Sequence, residues 1–150
     1  MLQLLIRLSP PPYKKKIRGV WLQYLFQRTI REIASMPIGQ IPTRKMLANL
    51  QLAWGNYGFV ANLDYLEEVA KRAIQASGPI LECGSGLTTI NLGLLAGRRA
   101  VAIFALEHLP QWRSHVLNVL QKHSIPAVNV CLAPIQDYGN FSWYEPPLSI

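Results

Sequence analysis

The stretch from Pro79 to Thr89, PILECGSGLTT, constrains this chain more than any other. A short apolar run carries the carboxylate of Glu82, a turn follows on Gly84 and Gly86, and a helical pattern runs from Leu87 to Ala96. The spacing predicts a strand, a glycine turn and a helix start. Glycine has no Cβ, so the backbone can turn sharply there and a ligand can come up against it. The helix that follows points unpaired N–H groups back at the turn, which favours a carboxylate or phosphate. A second apolar run, VAIFALEH from Val101 to His108, predicts a strand ending on Glu107, 21 residues after Gly86. A βαβ unit returns an acid to a ribose at about this interval.

These residues resemble the class I Rossmann-like methyltransferases that use S-adenosylmethionine. LECGSGLTT is similar to their first glycine motif, with an acid two positions before the first glycine, and ALEH to the acid closing their second strand. The resemblance is closest to the branch written L-E-x-G-S-G-x-[ST]-T, and it covers roughly Leu52 to Pro147. It implies that Gly84, Ser85 and Gly86 line the methionine part of the cofactor and that Glu82 stands near its ammonium. It also implies that Glu107 accepts both ribose hydroxyls, that His108 lies beside the adenine, and that the turn Ala133-Pro134-Ile135 brushes that ring. Many relatives carry an acid in this last turn, whereas here the nearest, Asp137, comes later. The methyl acceptor and the catalytic residues are not implied by anything in these motifs.

A nicotinamide dinucleotide site is the second reading of the same stretch. Its G-x-G-x-x-G pattern needs a third glycine for close helix and strand packing beside the pyrophosphate. That place is Thr89, and Glu82 would sit beside the diphosphate, so both residues count against it. An α/β turn without a ligand is the third reading.

A length of 150 residues, half of them hydrophobic, is enough for one domain with a core. The formal charge of +7 is uneven: residues 1–50 hold nine Lys/Arg against Glu32 alone, and residues 51–150 hold six against seven acids. The chain thus divides into a basic helical extension, 1–50, and a partial Rossmann-like cofactor domain, 51–150. Met1 to Leu8 is apolar but falls short of the roughly 20 residues of a membrane span and lacks a signal-peptide pattern. With two cysteines, Cys83 and Cys131, a cytoplasmic protein with reduced, buried thiols is expected.

Tyr13 to Met36 reads as an amphipathic helix with Leu22, Leu25, Phe26, Ile30 and Ile33 on one side and Lys14, Lys15, Lys16 and Arg18 among its charges. Such a helix suits an anionic membrane surface or nucleic acid, but the pattern is better read as an apolar side packed on the domain or on another subunit, with solvated lysines. Thr43 is placed to cap a second helix ending at Gly55, and Asn62 a third, Leu63 to Ala76. Between them, Asn56 and Tyr57 are either pocket wall or ordinary turn residues. Arg98 and Arg99 suit the dipole of the helix they follow. Pro110 fits the first turn of a helix burying Trp112, Val116, Val119 and Leu120, with His115 and His123 on its surface. A third strand, Ala127 to Leu132, follows, and FSWYEPP, Phe141 to Pro147, reads as a loop whose aromatics either cover the pocket or, the better reading, simply pack. The histidines show no metal-site spacing.

The organisation expected is therefore α/β: N-terminal helices, then a β-α-β-α-β half of a parallel sheet. In the resembled family a fourth strand lies beside the first, and no later stretch of this sequence supplies it. The first strand is expected to be an open edge, in an N-terminal portion of a longer enzyme or in a product needing a homo-oligomer or another partner. A non-catalytic module acting through its basic helix is the alternative from another class.

Overall fold

The computed structural model describes residues 11–55, 60–145 and 147. The run Met1 to Leu8 and the pair Asn56 and Tyr57 lie outside these. The chain is mixed α/β, with five α-helices and a three-stranded parallel sheet among the described residues. Helix α1, Pro11–Ser35, starts two residues earlier than the periodicity indicates, because proline's fixed φ suits a first helical turn. Helix α2, Arg44–Trp54, begins where the Thr43 side chain accepts from the Met46 N–H, and α3, Leu63–Gln75, where Asn62 accepts from Tyr65. Both caps satisfy N–H groups that the helix itself leaves unpaired.

Strand β1, Ile80–Cys83, leads through the glycine turn into α4, Leu87–Leu95. After a short 3₁₀ turn, Gly97–Arg99, come β2, Ile103–Glu107, α5, Pro110–Lys122, and β3, Val128–Leu132. The strands lie in the order β1-β2-β3, all parallel, with Ile80 opposite Ile103 and Ile103 opposite Val128. Right-handed crossovers in this order put α4 and α5 on the same side of the sheet.

Burial agrees. Ile103, Ala105 and Val130 on that side are buried and Ile80 and Val128 pack against them, whereas Leu81, Cys83 and Asn129 on the other side are exposed. Parallel strands are normally covered on both faces. Here the second face is covered only in part, at Leu106, which is buried beside the exposed Cys83, and among the described residues nothing pairs with the free side of β1. The exposed Cys83 and half-buried Cys131 follow from this, in place of the buried thiols expected.

Helices α1 to α3 form a further layer over α4, which is buried along nearly its whole length. Phe26, Ile30 and Ile33 join one continuous core with Leu47, Leu66, Ile90 and Val130, while Lys15, Lys16 and Arg18 are exposed. Arg98 and Arg99 make their hydrogen bonds to helices other than the one they follow. Arg98 donates to the carbonyls of Ile33 and Met36 at 3.1 and 2.8 Å, and Arg99 to those of Ala73 and Ile74 at 3.3 and 2.6 Å. Each guanidinium thus closes the C-terminal carbonyls of a different helix, α1 or α3.

Within the stretch expected as a loop, Ser142–Tyr144 is instead a strand, β5, which forms an antiparallel hairpin with β4, Ile135–Asp137. The Asp137 carboxylate accepts from the Gly139 N–H at 2.8 Å, and Gly139 takes a φ of +88° that glycine tolerates.

Candidate functional site: an acidic glycine turn

Gly84 has a φ of +91°, in the left-handed region, and its N–H donates to the Leu106 carbonyl at 2.8 Å, which extends the β1–β2 pairing by one residue. The chain then swings toward β2. The Ser85 N–H and hydroxyl both donate to Glu107 Oε2, at 3.1 and 2.8 Å, and the Ser85 carbonyl accepts from the Trp112 indole at 2.7 Å. The Gly86 N–H donates to Thr89 Oγ1 at 2.8 Å. The Ser85 and Gly86 donors are therefore already engaged within the turn.

Two carboxylates flank it. In the parallel register Glu82 lies opposite Ala105, and Glu107 lies two residues beyond Ala105, so both acids stand on the same, helix-covered face. Glu107 is 3% exposed and also accepts from the Leu109 N–H at 2.9 Å, with His108 Nδ1 at 3.5 Å. Glu82 accepts from the Thr88 hydroxyl and, at 2.6 Å, from the Thr89 hydroxyl. Burial raises the Glu82 pKa above the ordinary glutamate range; the two hydroxyls oppose that shift and the charge of Glu107 adds to it. No Lys or Arg among the described residues pairs with either acid.

The hairpin closes over this turn. The Tyr144 hydroxyl lies 3.6 Å from the point a Gly84 Cβ would occupy, and its ring is 6.0 Å from that of His108. Its pKa is raised by burial first, then by the charges of Glu107, Cys83 and Glu82. Pro134 and Ile135 are both exposed. The Pro134 carbonyl accepts from the Glu145 N–H at 2.8 Å and Ile135 pairs with Tyr144, so this segment is the base of a hairpin. It is tied to the site because the Ala133 N–H donates to the Glu107 carbonyl at 2.9 Å.

The structure thus gathers Glu82, Gly84, Ser85, Gly86, Glu107 and His108 at one end of β1 and β2, with Pro134 and Ile135 next to them through Ala133. Thr88, Thr89, Trp112 and Tyr144 belong to the same cluster without having been singled out as site residues. Thr88 and Thr89 stand in the T-T of the motif, and that was the available signal. Tyr144 had none beyond its place among aromatics. His115 and His123 are not plain surface residues: His115 stacks on Trp112 at 5.0 Å, and His123 meets Phe26 edge-on at 5.5 Å.

Two hollows lie away from the turn, one of about 440 Å³ between α1, α2 and α5 and one of about 430 Å³ along β3. Among the described residues no group of three or more His, Cys, Asp or Glu could hold a metal ion, and no helix is long and apolar enough to cross a membrane. In comparison with known proteins the chain matches no family model, and no curated protein and no solved structure is significantly similar to it.

Proposed function

We propose that the acidic turn is the cofactor end of an S-adenosylmethionine-dependent methyltransferase. One observation carries this reading: two carboxylates share a sheet face on either side of a glycine turn whose Ser85 and Gly86 N–H groups are already taken. An arriving diphosphate would meet negative charge and occupied donors. A ligand bearing a cation and hydroxyls meets acceptors suited to it. Glu82, oriented by Thr88 and Thr89, would hold an ammonium. Glu107 would exchange the Ser85 and Leu109 donors for a pair of ribose hydroxyls, and His108 would lie alongside the base.

When bound, the cofactor supplies a methyl group on a sulfonium for in-line displacement by an acceptor nucleophile. The chain's own part is alignment and exclusion of water, for which Tyr144 over Gly84 is the nearest group. The acceptor and any proton-transfer residue are unassigned. The competing reading, a non-catalytic module, draws on a specific observation, that neither hollow includes the turn.

Titration calorimetry on the 150-residue chain separates these readings. S-adenosylmethionine and its demethylated product are expected to bind saturably and NAD not to bind. Glu107→Gln, which presents an amide to the Ser85 and Leu109 donors, abolishes binding. Gly86→Ala keeps the fold, since its backbone is extended and no atom lies within 4 Å of an added Cβ, but lowers affinity by about 10-fold by narrowing the approach. Absence of binding at millimolar ligand, or tighter binding of NAD, sinks the proposal.

A further inference from the structure

Helix α1 carries apolar residues on two opposite sides, and the core uses one of them. Phe26, Thr29, Ile30 and Ile33 are buried on that side, and no described side chain of α1 ahead of Phe26 is buried. At about 100° of turn per residue, Ile17, Val20, Trp21 and Tyr24 gather on the other side, at i, i+3, i+4 and i+7. Val20 is 62% exposed and Tyr24 60%, while Ile17 and Trp21 are half-buried. A contiguous apolar stripe turned away from the core marks a contact surface.

Charge and residue type select the partner. Lys15, Lys16, Arg18 and Arg31 are exposed, and none of them makes an ion pair among the described residues. Glu32, the single acid of α1, is taken by Arg28. Arg28 and Arg31 continue the line of the stripe one and two turns beyond Tyr24, so the outer side runs from apolar to basic. Nucleic acid is held by cations set against phosphates, whereas the middle of this face offers Ile17 and Val20. Tryptophan and tyrosine suit the boundary between headgroups and acyl chains, where the ring is apolar and the N–H or O–H is wet. Cations flanking such a stripe meet anionic lipid. We propose that α1 lies on an anionic membrane surface, with Ile17, Val20, Trp21 and Tyr24 entering the acyl boundary and Lys16, Arg28 and Arg31 at the headgroups. A helix of this kind rests in the plane of the interface and needs no spanning length. The domain, packed on the opposite side of α1, stays in water.

The test is flotation of the 150-residue chain with vesicles of phosphatidylcholine and phosphatidylserine, set against vesicles of phosphatidylcholine alone. Binding is expected to be about 10-fold or more tighter with phosphatidylserine present and to weaken as salt is raised. Lipids brominated on the acyl chains should quench Trp21, read as the quenching that Trp21→Phe removes. Val20→Asp with Tyr24→Asp, both at exposed positions, abolishes flotation. Lys15→Glu with Lys16→Glu and Arg18→Glu leaves the core untouched and removes the preference for phosphatidylserine, so the proposal is still decided if the first variant does not fold. Neither variant alters S-adenosylmethionine titration, so failure here is distinct from failure at the turn. No flotation, equal binding to both vesicles, or flotation unchanged by Val20→Asp with Tyr24→Asp overturns the proposal. So does binding of poly(U) RNA in place of vesicles, or a dimer that the same variant dissolves without any flotation of the parent chain.

Discussion

Glu82 is a residue placed at a cost. Its carboxylate is held by Thr88 and Thr89 while burial and Glu107 favour its protonated form. A group whose folded pKa is raised contributes stability below the unfolded glutamate range, and loses that contribution as pH rises through the folded value. At neutral pH the ionised Glu82 therefore weakens the fold. Glu82→Gln is expected to raise the melting temperature by a few degrees at pH 8, with the gap closing toward pH 4 as the native acid takes up its proton. A gap independent of pH would remove the electrostatic account. Stability given up at a binding position is a common trade, so the same variant should bind a cationic ligand less well. The acid and the glycines were legible from their order in the sequence. The hydroxyls that hold the acid were visible only as part of a motif, because contacts across a turn leave no periodic trace.

At the scale of elements, α4 is the most enclosed, packed against α1, α2, α3 and β2. It is buried on nearly all sides, Leu87 and Thr89 through Leu95 included, as a helix between a sheet and other helices is. Gly93 marks its closest approach: an added Cβ would fall 2.4 Å from Ile125 Cγ2 and 2.8 Å from Val128 Cγ2. Gly93→Ala is expected to cost about 1–3 kcal/mol by overpacking. Gly78→Ala, with nothing within 4 Å, should cost almost nothing. Urea unfolding with an unchanged slope checks both. The helices were readable because caps such as Thr43 and Asn62 and the 3.6-residue period are local signals. The β4–β5 hairpin was not. Its Ile135, Phe141 and Trp143 are all largely exposed, so no alternation of buried and exposed residues announced strands.

For the molecule as a whole, Arg98 and Arg99 latch the helical layer to the sheet-bearing half by closing the ends of α1 and α3. Hydrogen bonds with a charged partner contribute about 1.5–3 kcal/mol, so Arg98→Ala and Arg99→Ala should each destabilise by about that much. Arg98→Lys should recover only part of the loss, since an ammonium does not reproduce the fork that reaches two carbonyls. Amide exchange at the end of α1 should quicken in Arg98→Ala, and at the end of α3 in Arg99→Ala. Contacts spanning 62 and 65 residues are beyond any reading of local sequence. The parallel βαβαβ arrangement was readable, because each strand and crossover carries its own signal. That arrangement has a kinetic consequence. With β1 outermost among the described residues, the acids lie beneath the hairpin rather than in a crevice between diverging strands. A guest has to pass Tyr144 to reach a carboxylate that is 3% exposed, so slow association is expected, quickening when the hairpin is loosened.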